Sequence, residues 1–176
     1  MQFTLLPHPE TPPAHPRFEL FASVDHAASF GATGTLNIWF GVRAPPERFV
    51  LPEGEAHRAD DLWQTTCFEV FLRAEGEEGY REWNFAPSGK WAAYDFTGYR
   101  DGRTDADVRE PYVRLEDNLT WFTLGATIGV ETGRGWSLGL SAILEEQDGT
   151  KSYWALAHEP GKPDFHAPGC FAARLA

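Results

Sequence analysis

The sequence predicts an all-β fold, an antiparallel β-sandwich of two sheets with about eleven strands. Several segments alternate apolar and polar side chains with a period of two, as Phe68, Val70 and Leu72 do against Glu69 and Arg73. No segment sustains a 3.6-residue apolar period with caps at both ends. Short segments bounded by Gly, Pro, Asp or Asn follow one another closely, which is typical of strands joined by hairpins.

The predicted strands share β-branched and aromatic composition and end at turn-forming residues. They span residues 3–6, 17–24, 34–42, 66–73, 80–85, 90–97, 112–116, 119–130, 135–144, 151–157 and 170–175. Asp117-Asn118 and Asp148-Gly149 indicate tight hairpin turns. So many strands must stack as a sandwich or close as a barrel, and we favour the sandwich, as a single domain over residues 1–176.

Two connections, residues 43–65 and 101–111, are longer than strand linkage requires, and loops of this length are usually functional or mobile. The second is acidic. A calcium loop would need a Gly at its sharp turn and a terminal bidentate carboxylate in register, so the sequence favours a solvated loop instead.

Composition and charge exclude several partners. Hydrophobic residues make up 42% of the chain and the formal net charge is -11, with no cluster of Lys and Arg, which argues against nucleic acid and anionic membranes. No apolar run approaches a bilayer span and the N-terminus lacks the features of a signal peptide, so we expect a cytoplasmic protein. No cofactor or metal is indicated.

Cysteines and histidines form no recognisable ligand spacing. Cys67 and Cys170 favour reduced core residues, although a disulfide stays open if the first and last long strands adjoin. His158 and His166 flank one loop, but scattered surface histidines are the favoured interpretation over zinc. Common catalytic motifs are absent. A small sugar-active enzyme stays open through paired carboxylates, Glu69 with Asp95 or Asp164.

Residues 62–96 concentrate aromatic and polar side chains on adjacent predicted strands. Large aromatics beside groups with fixed hydrogen-bonding geometry suit a flat, polar small molecule such as a sugar. Trp63 either caps the core or forms a stacking platform, and Glu69 is either a binding residue or an exposed partner of Arg81. Most aromatics of the 80–97 hairpin are predicted to be core, namely Trp83, Phe85, Trp91, Tyr94 and Phe96. The other face carries Glu82, Asn84, Lys90 and Ala92.

Four motifs resemble the DOMON-like superfamily: Asp-Leu-Trp at 61–63, Cys-Phe-Glu-Val-Phe-Leu at 67–72, the strand at 80–87, and the closing segment 163–171. The pattern is most similar to family 9 carbohydrate-binding modules and to bacterial stand-alone DOMON-like proteins of unassigned role. The resemblance implies a β-sandwich that binds a sugar or, in other branches, haem. The haem branch uses Met with His or Lys as axial ligands, and this chain has only Met1.

The resemblance also implies a set of ligand-binding residues. Trp63 lies six residues before Glu69, the spacing at which those modules place a stacking Trp and a Glu that accepts hydrogen bonds from sugar hydroxyls. The next strand supplies Asn84, with Arg81 as a neighbour, and the C-terminal segment supplies Asp164, Phe165 and His166. Phe165 replaces a second stacking Trp. We therefore predict non-catalytic binding of a saccharide or sugar-containing metabolite, and a homodimer stays open.

Overall fold

The computed structural model describes residues 1–27 and 33–175, and it is built almost entirely of strands. Three one-turn 3-10 helices, Pro46–Arg48, Leu62–Gln64 and Pro168–Cys170, are the only helical segments in those ranges. The predicted all-β class is confirmed. The described strands are β1 (Gln2–Pro7), β2 (Glu19–Ala27), β3 (Thr33–Arg43), β4 (Cys67–Ala74), β5 (Tyr80–Phe85), β6 (Trp91–Phe96), β7 (Thr104–Asp105), β8 (Tyr112–Asp117), β9 (Phe122–Glu131), β10 (Trp136–Glu145), β11 (Lys151–Ala155) and β12 (Ala173–Leu175).

The β8–β9 hairpin forms at the predicted turn, but β9 begins later than expected. The strand was predicted over residues 119–130, whereas it begins at Phe122. The side-chain oxygen Oδ1 of Asn118 accepts hydrogen bonds from the backbone N–H groups of Thr120 (2.8 Å) and Trp121 (3.1 Å). An Asn side chain that closes a turn in this way competes with strand pairing, which explains the shorter strand.

Two other differences lie in the loops. The predicted strand at residues 170–175 is reduced to β12, because Pro168–Cys170 adopts a 3-10 turn first. The acidic connection at residues 101–111 contains the two-residue strand β7, which pairs with β6 and which the sequence did not predict. Two residues are too short a segment to show any alternation. No helix in the described ranges has the length and apolar character needed to cross a membrane.

The strands form one continuous antiparallel sheet that curls into a half-barrel, in the order β7-β6-β5-β4-β10-β11-β1-β2-β3-β9-β8, with β12 paired to β10 outside this order. Strand β1 joins two arms, because Leu5 pairs with Leu20 of β2 while Leu6 pairs with Ala155 of β11. The first arm contains β2, β3, β9 and β8, and the second contains β11, β10, β4, β5, β6 and β7. The antiparallel arrangement agrees with the prediction, but two separate sheets do not form.

The core lies between the inner faces of the two arms. The rings of Phe40 on β3 and Phe68 on β4 approach to 5.2 Å between centroids, and Phe122 of β9 packs against both Phe68 and Phe49. Phe40, Phe68 and Phe122 come from inward-facing positions of their strands, and Phe49 follows the Pro46–Arg48 turn. Burial of this apolar surface is the main favourable contribution to folding.

A second apolar cluster lies on the outer side of the second arm. It contains Phe71, Tyr80, Phe96, Phe165 and Phe171, all buried. Strands β4, β5, β6 and β10 present one side of this cluster, and the loops at residues 56–65, 97–103 and 156–171 lie over it. We call this outer surface the covered face. It contains the candidate site.

Candidate ligand-binding site

Four buried polar side chains occupy adjacent outward positions in the centre of the covered face. Glu69 of β4 pairs with Asn84 of β5 on one side and with Ser141 of β10 on the other. Glu82 lies two residues from Asn84 and therefore points to the same face. Only 3% of Glu69 and 6% of Glu82 is exposed. Alternation alone predicts solvated side chains here, so their burial comes from the loops above.

A hydrogen-bond network orients these groups. The Ser141 hydroxyl donates to Oε2 of Glu69 at 3.0 Å, and Nδ2 of Asn84 donates to Oε1 of Glu82 at 2.6 Å. The Cys67 thiol donates to Oδ1 of Asn84 at 3.5 Å. Asn84 thus directs its amide nitrogen at Glu82, which leaves Oε2 of that carboxyl towards the cavity wall.

Burial changes the protonation of both carboxyls. Loss of water contact raises the pKa of Glu69 to about 8, and the negative charge of Glu82 adds to this effect. Burial also raises the pKa of Glu82, although the hydrogen bond from Asn84 opposes the shift. Glu69 is therefore mostly protonated at neutral pH, when its hydroxyl can donate a hydrogen bond.

His166 forms the wall beside Glu82. The backbone N–H of Arg100 donates to the hydroxyl oxygen of Tyr80 at 3.2 Å, and that hydroxyl lies 2.7 Å from Nδ1 of His166. Tyr80 can therefore donate to Nδ1, which places the proton of a neutral imidazole on Nε2. Nε2 lies 3.8 Å from Oε2 of Glu82. Burial, with the nearby Arg100 charge, lowers the pKa of His166 to about 4, so the ring is neutral at pH 7.

Two arginines lie at the rim, each with its own acidic partner. Nη2 of Arg100 is 2.7 Å from Oδ1 of Asp164, and the Tyr99 hydroxyl also donates to Asp164. The pKa of the Asp164 carboxyl is lowered by these hydrogen bonds, against the opposing effect of burial.

The second rim arginine is Arg103. Its guanidinium lies 4.0 Å from the ring centroid of Tyr94 and 3.7 Å from Oδ1 of Asp60. The Tyr94 hydroxyl donates to the same Asp60 oxygen at 2.5 Å. A cation over an aromatic face is held in place by the ring quadrupole, so Arg103 and Tyr94 form one side of the opening.

Aromatic and apolar side chains complete the cavity. Trp63, 50% exposed in the Leu62–Gln64 turn, stands at the opening, with Tyr153 and Pro163 nearby and the buried ring of Phe165 behind Tyr153. The cavity volume of about 470 Å³ lies in the range of small-molecule sites. The cavity thus combines carboxyls on its floor, an imidazole on its wall and aromatic rings at its opening.

The structure brings together most of the predicted site residues. Trp63, Glu69, Phe165 and His166 line the cavity. Asn84 and Asp164 hold lining residues in place through their hydrogen bonds to Glu82 and Arg100. Residues separated by about a hundred positions in sequence therefore meet at one cavity.

Arg81 does not join the group. It points to the opposite side of β5, where its guanidinium makes two hydrogen bonds to Asp95, at 2.6 and 2.8 Å. Glu69 is therefore not its cross-strand partner, and Asp95 lies on the wrong face to act with Glu69 on one ligand. The physical reason is the two-residue period of the strand, which separates Arg81 from Glu82 and Asn84. Its predicted contact with a ligand stays untested.

Sequence reasoning missed several cavity residues. Tyr94 and Phe96 were predicted to face the core with Trp83, but their pairing with Glu82 and Tyr80 places them on the covered face. Glu82 could have been predicted as a cavity residue, since it lies on the same face of β5 as Asn84. Arg100 and Arg103 belong to an irregular loop, so strand alternation gave no signal that they line the cavity.

The cysteines and histidines that were considered as disulfide or metal ligands make contacts within the fold. Both cysteines are free and buried, and burial raises the pKa of the Cys170 thiol to about 11. His158 contacts the backbone oxygen of Leu6 and packs edge-on against His8, with 4.8 Å between ring centroids. Within the described ranges, no group of three or more His, Cys, Asp or Glu side chains could hold a metal ion.

Comparisons with known proteins show that the fold of this chain is similar to that of several solved structures. No protein-family model and no curated protein sequence matches the chain. Among solved structures, a Bacteroides uniformis protein proposed to bind carbohydrate is 16% identical, with a TM-score of 0.58 over 97% of this chain and 83% of its own.

A family 9 carbohydrate-binding module from Caldicellulosiruptor kristjanssonii is similar in two structures. The cellotriose complex gives a TM-score of 0.55 at 10% identity, over 92% of this chain and 74% of the module. The glucose complex gives 0.51 at 11% identity, over 84% and 71%. The chain therefore has a carbohydrate-binding-module-like fold. Its predicted place among DOMON-like proteins stays a prediction.

Proposed function

We propose that this protein binds a saccharide in the cavity of the covered face. The observation that carries the proposal is the combination of buried hydrogen-bonding groups, Glu69, Glu82 and His166, with aromatic rings at one opening. Sugars present hydroxyls at their edges and apolar C–H groups on their faces, which require these two kinds of surface. The fold similarity to modules crystallised with glucose and cellotriose supports the same class of ligand.

In this proposal each side chain has a definite role. Trp63 stacks on a sugar ring, with Tyr153 and Phe165 bordering the other side. Glu69 and Glu82 hydrogen-bond to hydroxyls on the floor. Nε2 of His166 and Oε2 of Glu82 lie 3.8 Å apart, so one hydroxyl between them can accept from the imidazole and donate to the carboxyl.

Calorimetry and intrinsic Trp fluorescence across a library of mono- and disaccharides test the proposal. We expect at least one binder, and Trp63→Ala to raise its dissociation constant about tenfold, a loss of about 1.4 kcal/mol. Trp121→Ala is the matched control, because Trp121 is also exposed but lies on the β8–β9 turn of the other arm. Absence of any binder, or equal effects of the two substitutions, would contradict the proposal.

The carboxyl pair favours one second candidate, acid–base action on a glycoside. Two carboxyls in one cavity, one with a pKa of about 8, have the chemistry of an acid and a base. Here Glu82, and not Asp95, would act with Glu69. A panel of chromogenic glycosides tests it: turnover lost in both Glu69→Gln and Glu82→Gln would favour an enzyme, and no turnover by the wild type would exclude one for those substrates.

A further inference from the structure

Two buried carboxyls, Glu69 and Glu82, form the floor of the cavity, and no neighbouring cation contacts either of them. Glu69 accepts its one hydrogen bond from Ser141, and Glu82 accepts its one from Asn84, both neutral donors. Within the described part of the chain, Oε1 of Glu69 and Oε2 of Glu82 accept no hydrogen bond, and no Lys or Arg forms an ion pair with either carboxyl. Buried carboxylates are normally paired, because desolvation of an isolated charge is costly.

The rim arginines do not fill this role. Arg100 is ion-paired with Asp164 at 2.7 Å, and Arg103 lies between the Tyr94 ring and Asp60. Each rim cation is thus offset by its own carboxylate. Burial raises the pKa of Glu82, and Arg103 and Arg100 oppose this shift through space, without an ion pair to the carboxyl.

The free oxygens of the two carboxyls can therefore accept hydrogen bonds from a ligand, and a positive ligand group would also pair with their ionised form. A metal ion is a poor candidate, since no third His, Cys, Asp or Glu ligand joins the two carboxyls in the described ranges. A protonated amine suits the floor better, because it supplies three hydrogen-bond donors and one positive charge. A hydroxyl supplies the hydrogen bond without the charge.

We propose that the saccharide bound here is an amino sugar, whose protonated amine lies between Glu69 and Glu82 while Trp63 stacks on the ring. This inference rests on the proposed saccharide-binding function and adds the chemical class of the ligand. An N-acetylated sugar lacks the charge and carries a bulkier amide, so it does not satisfy the floor. The free amine is the distinguishing group.

The protonation of Glu69 adds a measurable consequence. Before a ligand binds, burial raises the pKa of Glu69 to about 8, so at pH 7 the carboxyl carries a proton. An ammonium group beside it favours the ionised form, and binding then releases that proton to the buffer. A neutral sugar at the same position releases none.

Titration calorimetry at pH 7.0 with glucosamine, glucose and N-acetylglucosamine tests the inference, with the corresponding disaccharides as larger probes. We expect the free amine to improve affinity about tenfold over the parent hydroxyl sugar, as for a hydrogen bond that gains a charge. Repeating the titration in buffers of different ionisation enthalpy should show up to one proton released for the amine and none for glucose.

Glu82→Gln keeps the size of the side chain and an oxygen that can accept from Asn84, but it removes the ionisable carboxyl. Glu69→Gln removes the other ionisable carboxyl in the same way. Each should reduce the preference for the amine to about that of glucose, while Glu116→Gln, an exposed carboxyl on β8, should leave it unchanged. Thermal melting confirms that each variant is folded. If hydroxyl sugars bind as tightly as their amino counterparts, the amine inference fails and saccharide binding stands. If no sugar of the wider library binds, both fail.

Discussion

The outer surfaces of the two arms follow the same alternation but differ in what lies above them. On the first arm, the outward side chains of β2, β3, β8 and β9 are mostly solvent-exposed, and we call this the open face. There Phe21 lies over Gly41 and Trp39 lies over Gly125. On the covered face, polar residues at equivalent outward positions, such as Glu69, are almost fully buried. Loops, and not strand sequence, produce the difference.

As a consequence, residues of the same type contribute unequally to the free energy of unfolding on the two faces. A buried polar group on the covered face is constrained by desolvation and by specific partners. An outward group on the open face exchanges its partners with water at little cost. Paired substitutions, one on each face, measure this difference directly.

The largest expected difference concerns two phenylalanines. Phe71 on the covered face is 1% exposed, whereas Phe21 on the open face is 39% exposed. Phe71→Ala should lower the free energy of unfolding by about 3 to 5 kcal/mol, because it leaves a cavity beneath the ligand site. Phe21→Ala should cost less than about 1.5 kcal/mol. Urea denaturation measures both, and equal losses would show that the loops do not seal the covered face.

The next largest effect concerns the pH dependence of protein stability. Because the folded pKa of Glu69, about 8, exceeds its ordinary value of 4.5, the native state binds more protons over that range, and stability falls as pH rises. His166, with its pKa lowered to about 4, has the opposite sign but acts only below its ordinary value of 6.5. The interval from pH 6.5 to 8 therefore reports the carboxyls.

Glu69→Gln should remove most of this slope, with the remainder due to Glu82, whose pKa is also raised by burial. Relative to wild type, the variant should gain about 3 kcal/mol of stability between pH 5.5 and pH 8, or roughly 6 to 12 °C in melting temperature. Below pH 4.5, where the carboxyl is protonated in both the folded and the unfolded state, the two should differ little. Glu116→Gln on the open face is the control and should keep the wild-type slope. A wild-type melting temperature that is flat between pH 6.5 and 8 would argue against a buried Glu69.

A smaller effect is expected at two glycines. A Cβ on Gly139 would meet Cβ of Phe71 at 3.2 Å and the backbone oxygen of Cys170 at 3.3 Å, whereas one on Gly125 would meet the Trp39 ring at 2.6 Å. The Cys170 backbone cannot turn away, but a side chain on the open face can. Gly139→Ala should cost about 1 kcal/mol and Gly125→Ala less. The reverse order in thermal melting would mean that the Trp39 ring is the more rigid neighbour.

The smallest effect is expected at Arg81. Its pair with Asp95 is more than one-third exposed, so Arg81→Ala should cost only about 0.2 to 1 kcal/mol. Because Arg81 points away from the cavity, sugar affinity should stay unchanged in calorimetry. Arg100→Ala, which removes the rim contact to Asp164, should weaken binding. Loss of affinity in Arg81→Ala would return this residue to the site, as the sequence first suggested.

The strands of this protein could be predicted from the sequence more completely than the candidate site. The alternation around Glu69 and the turn at Asp117-Asn118 are local, and the predicted strands there correspond to β4, β8 and β9. Trp63 and Glu69, predicted as ligand-binding residues from their spacing, both line one cavity, and their contact with a ligand stays a prediction. The face of Tyr94 was predicted wrongly, because an aromatic side chain satisfies either the core or a second cluster and composition does not distinguish them.

The sequence by itself determined that the chain forms antiparallel strands and where the β8–β9 hairpin turns, because these depend on residues two to four positions apart. Only the tertiary structure decided that the sheet is continuous through β1, and that Glu69 and Glu82 lose their water. The latter depends on contacts such as Tyr80 with His166, 86 residues apart, and Arg100 with Asp164, 64 residues apart. Burial is a collective property of loops that meet only in the folded protein, so no local pattern records it.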